Sequence, residues 1–127
     1  MKWKWLIITF IVAVVVTNFP LYNKSFLLMF DGEGHFRYAN ADATFTRVDS
    51  FGFKDGFLTD RLANNFIEET QPAIENRQIY RLYRINPLCF WRWYYYIFIA
   101  RNFEYKSWEE IEPHRVPYDP DNHWQDF

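Results

Sequence analysis

The first long apolar run of the chain covers residues 5–16, and it contains no charged residue. The uncharged stretch continues to Asn23, so it has about the 20 residues that a helix needs to cross the hydrocarbon core of a bilayer. A secretory signal peptide would also carry a basic flank such as Lys2 and Lys4, but no Ala-x-Ala cleavage pattern follows this run. The pattern therefore predicts an uncleaved single-pass transmembrane helix within residues 1–23.

Basic residues flank this apolar run unequally. Lys2 and Lys4 precede it, whereas the single Lys24 after it is soon followed by Asp31 and Glu33. Because basic flanks tend to remain in the cytoplasm, the predicted topology has a cytoplasmic N-terminus and an extracytoplasmic body. In a bacterium that body would lie in the periplasm, as part of the cell envelope.

Short segments and turn residues follow over residues 24–57. The stretch HFRYANADATFTRV, residues 35–48, predicts a β-hairpin whose turn lies near residues 39–42, because Asn and Asp favour tight turns. Asp55 and Gly56 predict a second turn. We expect this part of the chain to consist of short strands and loops.

The apolar period then becomes helical, and residues 58–112 form a predicted helical segment that is rich in aromatic and basic residues. Leu58, Leu62 and Phe66 recur on one helix face. Pro72 is expected to end that first helix.

Three shorter segments complete the pattern. The stretch ENRQIYRLYRI, residues 75–85, fits neither period cleanly, and we predict it as helix. Ser107 and Glu110 form a capping box for a short helix. Residues 113–127 are rich in Pro and Asp and predict an extended acidic tail.

The stretch NPLCFWRWYYYIFIAR, residues 86–101, is dense in aromatic residues. Asn86 suits an N-cap and Pro87 the first helical position, so we predict a helix from Pro87 to about Phe103. A second membrane crossing is disfavoured because Arg92 would lie near the bilayer centre, at a cost of about 2.5 to 3.5 kcal/mol. An interfacial or partner-facing helix is favoured over an ordinary core helix, since Tyr and Trp rings can be buried while their polar tips stay in water.

Aromatic residues make up 23% of the chain, with 14 Phe, 9 Tyr and 6 Trp. A chain of 127 residues is long enough for one modest domain, and its core cannot hold so many rings. Part of the aromatic surface is therefore expected to face lipid or a partner protein. The residues predicted to do so are Trp91, Arg92, Trp93, Tyr95, Tyr96, Phe98 and Arg101.

The formal net charge is only -2, but the charges occur in blocks. Residues 31–75 and the tail are mainly acidic, whereas residues 77–106 are mainly basic. The blocks either pair with each other within the fold or leave a basic aromatic belt for lipid headgroups or an acidic partner.

No constellation of residues predicts catalysis or a metal site. Cys89 is the single cysteine and is expected to be a small buried hydrophobic residue. The His residues lack zinc-ligand spacing, and the segment DPDNH lacks the Gly and Glu of a calcium loop. An enzyme is the least favoured hypothesis, with Asp31, Glu33 and His35 as its candidate site. We predict no cofactor and no nucleic-acid partner.

These patterns predict an α+β fold, in which an N-terminal transmembrane helix precedes a small domain with a short β-hairpin region and two to four helices. The predicted function is that of a non-catalytic accessory or structural subunit of a larger membrane protein complex, packing through its anchor and the aromatic helix. The predicted partners are membrane lipid and other membrane protein subunits, in a hetero-oligomer. The alternatives are a stand-alone membrane-anchored module that binds lipid or another ligand, and a membrane-anchored enzyme. No motif is specific enough to name a family.

Overall fold

The computed structural model describes residues 1–32, 34–49 and 59–127. These residues form an α+β fold with a four-stranded mixed sheet and five α-helices. The helices are α1 (Lys2–Thr17), α2 (Asn23–Asp31), α3 (Thr59–Thr70), α4 (Trp93–Phe98) and α5 (Trp108–Ile111). The strands are β1 (Arg37–Asn40), β2 (Thr46–Val48), β3 (Ile79–Arg81) and β4 (Glu104–Tyr105). Short 3-10 helices cover Ile74–Asn76, Phe90–Arg92, Ala100–Asn102 and Glu112–His114.

Some predicted features lie outside the described residues. They are Glu33 of the candidate enzyme site, the turn at Asp55 and Gly56, and Leu58 of the first predicted helix face.

The sheet has the strand order β2-β1-β3-β4. β1 pairs antiparallel with β2 and with β3, and β3 pairs parallel with β4. β1 and β2 form a hairpin that the buried Asn40 closes, because its Oδ1 accepts from the Phe45 N–H at 3.0 Å and its Nδ2 donates to Thr44 Oγ1 at 2.7 Å.

The predicted transmembrane helix is wrong. Along residues 1–32, 34–49 and 59–127, no helix is both long and apolar enough to cross a membrane. α1 has 16 residues, so its length is about 24 Å against a hydrocarbon core of about 30 Å. It ends where Thr17 Oγ1 donates to the Ala13 carbonyl at 2.7 Å and Asn18 Nδ2 to the Val14 carbonyl at 2.9 Å, which satisfies carbonyls of the last turn. The topology with a cytoplasmic N-terminus and an extracytoplasmic, periplasmic body rested on this anchor and is wrong with it.

Residues 75–85 contain strand β3 and not the predicted helix. Ile79 and Tyr83 lie in the main core, and Leu82 packs in a second cluster. Residues four apart share a face in a strand as well as in a helix. The spacing of Ile79 and Tyr83 is therefore compatible with either structure. Pairing with β1 and β4 makes this segment a strand.

The main hydrophobic core lies on one face of the sheet. Tyr38 of β1 points into it, whereas the next residue, Ala39, packs on the opposite face. The fully or nearly buried rings of the main core are Phe36, Tyr38, Phe45, Phe66, Tyr83, Tyr95, Tyr96 and Phe103. A smaller cluster on the other face contains Ala39, Ala43 and Ile111, with Leu82 and Trp108 packed against it.

The C-terminal segment, predicted as an extended acidic tail, runs back along β2. Gln125 forms a parallel bridge with Thr46, whose N–H donates to the Trp124 carbonyl at 2.9 Å. The Trp124 ring packs against the main core. The segment therefore covers the β2 edge of the sheet, which would otherwise present unpaired backbone groups.

Candidate partner-binding surface

Helix α1 exposes apolar side chains on all of its sides. Trp5, Leu6, Ile7 and Ile8 are consecutive and all exposed, and four consecutive residues point around a full helical turn. The large exposed side chains of α1 have exposed fractions between 45% and 78%. A helix that is apolar all round is normally buried, either in the core of a large protein or in a membrane.

The exposure continues beyond α1 into the turn and α2. The further exposed residues are Phe19, Leu21, Tyr22, Leu28, Met29 and Phe30. We call the exposed apolar side chains of residues 3–30 the N-terminal apolar surface. Monomeric proteins rarely expose a contiguous apolar surface of this kind unless it binds something.

Asn18 fixes the end of α1 to residues 86–101, which we call the aromatic segment. Its Nδ2 donates to the Phe90 carbonyl at 2.7 Å, and its Oδ1 accepts from the Tyr94 N–H at 2.7 Å. In a continuous α-helix that N–H would bond to that carbonyl, four residues earlier. The Asn18 amide therefore stands in for one helical hydrogen bond, and the helix predicted from Pro87 to Phe103 begins only with the 3-10 turn at residue 90.

Asn23, the first residue of α2, makes a second connection. Its side chain is fully buried, and its Nδ2 donates to the Thr17 carbonyl at 2.8 Å and to the Trp91 carbonyl at 2.9 Å. The ring of Phe10 packs edge-on against Phe90 with centroids 5.4 Å apart. These contacts hold α1, α2 and the aromatic segment together.

Asp31 and Arg92 hold the other end of α2. Arg92 Nε and Trp91 Nε1 both donate to Asp31 Oδ2 at 3.0 Å, and Arg92 Nη2 donates to Oδ1. A carboxylate in the last turn of a helix is disfavoured by the helix dipole, so the guanidinium offsets that cost. The Arg92 side chain also donates to Tyr96 Oη at 3.1 Å and lies over the Phe36 ring.

The seven residues predicted to face lipid or a partner divide into three groups. Phe98 and Arg101 are exposed, and Trp93 is 36% exposed while its Nε1 donates to the Pro87 carbonyl. Trp91 and Arg92 are half-buried and engaged with Asp31. Tyr95 and Tyr96 are buried in the main core.

The residues that position the N-terminal apolar surface are Asn18, Asn23 and Asp31. No local sequence pattern assigns this role to the two asparagines. The sequence feature that could have identified Asn18 and Asn23 is the presence of two amide side chains just after an apolar run. A membrane-spanning helix does not need hydrogen-bonding side chains at that place. The sequence pattern gives Asp31 two other roles, as an acidic flank of the apolar run and as part of the candidate enzyme site.

A hydrogen-bonded network of tyrosines lies in the main core. The Tyr38 hydroxyl bonds to those of Tyr83, at 2.6 Å, and Tyr95, and the Tyr95 hydroxyl donates to Asp49 Oδ2 at 2.7 Å. Burial raises the pKa of Asp49 to about 6, although the Tyr95 hydrogen bond and the Arg47 charge act to lower it. Burial also raises the pKa values of Tyr38, Tyr83 and Tyr95. The tyrosines are therefore neutral near pH 7, and Asp49 is the member of the network that changes charge near pH 6.

Two residues of the enzyme hypothesis, Asp31 and His35, are engaged in contacts within the fold. Both carboxylate oxygens of Asp31 accept from Arg92. The His35 ring packs edge-on against Phe36 at 4.7 Å, and burial together with the Arg92 charge lowers the pKa of His35. Within the part of the chain that the structure describes, no group of three or more His, Cys, Asp or Glu residues could hold a metal ion.

In comparisons with known proteins, no family model matches the chain, and no curated protein or solved structure matches it significantly.

Proposed function

We propose that the chain is a non-catalytic accessory subunit of a larger protein complex, in which partner subunits cover the N-terminal apolar surface. The observation that carries this proposal is the exposure of α1 on all sides. A helix of that kind is stable in water only at a cost, because burying each Val, Leu, Ile or Phe side chain is worth about 1.5 to 3 kcal/mol. Covering even a few of these side chains provides a strong driving force for association.

The connection between α1 and the body favours a protein partner. Asn18 and Asn23 fix the end of α1 against the aromatic segment, so the helix is presented as one unit with the body. Presenting a rigid helix reduces the entropy that binding must overcome. An apolar helix laid into an apolar groove is a recurrent mode of protein recognition.

Membrane protein subunits are the partner class that we propose, because an exposed apolar surface of this extent marks a contact with a protein partner or with a membrane. Exposed side chains of the aromatic segment extend the surface that a partner can contact. They are Leu88, Trp93, Ile97 and Phe98.

The test is affinity purification of the full chain from its native cells after extraction in a gentle detergent, with a tag after Phe127. The Phe127 carbonyl accepts from Thr46 Oγ1 at 3.0 Å, a contact that a following tag retains. We expect partners at a fixed, near one-to-one stoichiometry. The double substitution Ile7→Glu and Ile11→Glu, at positions 58% and 53% exposed, should abolish their recovery.

A control is Ile74→Glu, which places a glutamate at an 81% exposed apolar position outside both α1 and residues 86–101. This variant should retain the partners, and circular dichroism should show that all variants are folded. Recovery of the unsubstituted chain alone, with or without bound lipid, would overturn the proposal. Retention of the partners by the α1 variant would overturn it as well.

A further inference from the structure

A groove of about 350 Å³ lies between the hairpin turn, the end of α3 and the C-terminal segment. Its volume falls within the range of small-molecule sites. Its apolar lining is Phe66, Pro72, Ala73 and Trp124. Its polar lining is Asp42, Thr44, Thr70, Asn76 and Asn122.

Trp124 is the rigid aromatic wall of the groove. Its ring packs edge-on against Phe66, with centroids 5.6 Å apart, and lies tilted against the His123 ring, with centroids 4.4 Å apart. Its backbone carbonyl accepts from the Thr46 N–H at 2.9 Å. The indole also lines a smaller neighbouring groove of about 200 Å³, so it separates two depressions of the surface. A ring held in this way can pack against the C–H face of a flat ligand.

Some polar side chains of the groove are held in place by hydrogen bonds but keep further donor or acceptor atoms that bond to no protein group. Asp42 Oδ1 accepts from the Thr44 N–H at 3.1 Å and from Thr44 Oγ1 at 2.7 Å. Asn122 Oδ1 accepts from the Trp124 N–H at 3.0 Å. Among the described residues, Asp42 Oδ2, Asn122 Nδ2 and the side-chain amide of Asn76 form no hydrogen bond within the protein. One acceptor and two amide groups therefore remain available to a ligand.

We propose that this groove binds a neutral polyhydroxylated ring of monosaccharide size. A carboxylate and amides together can both accept from and donate to neighbouring hydroxyl groups, while the partly exposed Trp124 indole covers the apolar face of the ring. The groove has one carboxylate, and its other polar side chains are neutral, which suits hydroxyl groups better than a charged ligand. This site is independent of the N-terminal apolar surface.

The test is titration of the full, isotopically labelled chain with neutral methyl glycosides of glucose, galactose and mannose and with N-acetylglucosamine, followed by the amide and indole signals in NMR spectra. We expect saturable shifts of the Trp124 indole and Asn122 signals by at least one of these sugars, with millimolar affinity. Asn76→Ala should raise its Kd about fivefold, as expected for one lost hydrogen bond. Asp42→Asn, which keeps an oxygen for Thr44, should weaken binding similarly.

Asn64→Ala is the control, because Asn64 is an exposed asparagine of α3 that does not line this groove. It should leave the affinity unchanged. Tetramethylammonium chloride is a second probe, since a carboxylate beside an indole could instead hold a cation. The proposal is overturned if no sugar gives saturable shifts, if tetramethylammonium alone does so, or if both groove variants bind like the unsubstituted chain.

Discussion

The ion pair between Asp31 and Arg92 offers a sharp test of how the N-terminal region is held on the body. The two side chains keep only 4% and 12% of their surfaces exposed, respectively. Asp31→Ala would leave the Arg92 guanidinium enclosed by Phe36 and Tyr96 without its counter-charge. It would also remove the acceptor of the Trp91 indole N–H.

Removing one partner of a buried ion pair costs about 3 to 5 kcal/mol. Because Arg92 still donates to Tyr96 and keeps some contact with water, we expect the lower end, about 3 kcal/mol of unfolding free energy. At about 4 °C per kcal/mol for a chain of this size, Tm should fall by about 12 °C. Arg92→Met retains the apolar part of the side chain over Phe36 but leaves the Asp31 carboxylate without its counter-charge. It should lower the unfolding free energy by a similar amount.

The assay is urea unfolding followed by tryptophan fluorescence and circular dichroism, on both single variants and on the double variant. The double variant should cost about 2 kcal/mol less than the sum of the single variants, since it leaves no unpaired charge. Arg101→Met, at an exposed position of the same segment, should change stability by no more than about 0.5 kcal/mol. Additivity of the Asp31 and Arg92 substitutions within about 0.5 kcal/mol would refute the reasoning.

Two further predictions concern buried polar groups. The pKa of Asp49 is raised from 3.8 to about 6, so the folded state binds the Asp49 proton more tightly than the unfolded state does. The stability that this proton contributes is lost as the pH rises. Relative to Asp49→Asn, the wild-type chain should therefore lose up to about 3 kcal/mol of unfolding free energy between pH 4 and pH 7. A difference between the two unfolding free energies that stays flat with pH would contradict this. Asn23→Ala removes the donor to the Thr17 and Trp91 carbonyls and should lower the free energy of urea unfolding by about 1 to 3 kcal/mol. Asn64→Ala, at an exposed position, should leave that free energy nearly unchanged. Equal effects of the two substitutions would show that the buried Asn23 amide contributes no stability.

The sequence could predict elements whose pattern is local. Leu62 and Phe66 recur at helical spacing, and α3 forms around them. Asp42 lies in the turn of the β1–β2 hairpin, where its Oδ1 accepts from the Thr44 N–H at 3.1 Å, whereas Asn40 is the last residue of β1. Ser107 is the N-cap residue of α5, although its side chain makes no capping hydrogen bond there.

The sequence could not predict interactions between distant residues. The stretch from Pro87 to Phe103 reads as one helix, but the Asn18 amide, 72 residues before Phe90, takes the place of a helical hydrogen bond. Nor could the sequence show that Tyr95 and Tyr96 point into the core while Phe98 stays exposed. The groove beside Trp124 was not predictable either, because its lining comes from three separate parts of the chain.

By itself, the sequence determined that this protein has an apolar N-terminus and more aromatic side chains than a small core can bury, since both properties are matters of composition and order. Only the tertiary structure decided that the N-terminal helix α1 ends after 16 residues, which is shorter than the hydrocarbon core of a bilayer. Thr17, Asn18 and Asn23 end it through hydrogen bonds within the first helices and to the aromatic segment. The hydrogen bonds from Asn18 and Asn23 to the aromatic segment join residues that are far apart in sequence. They depend on which segments the fold brings together, and a local sequence pattern does not contain that information.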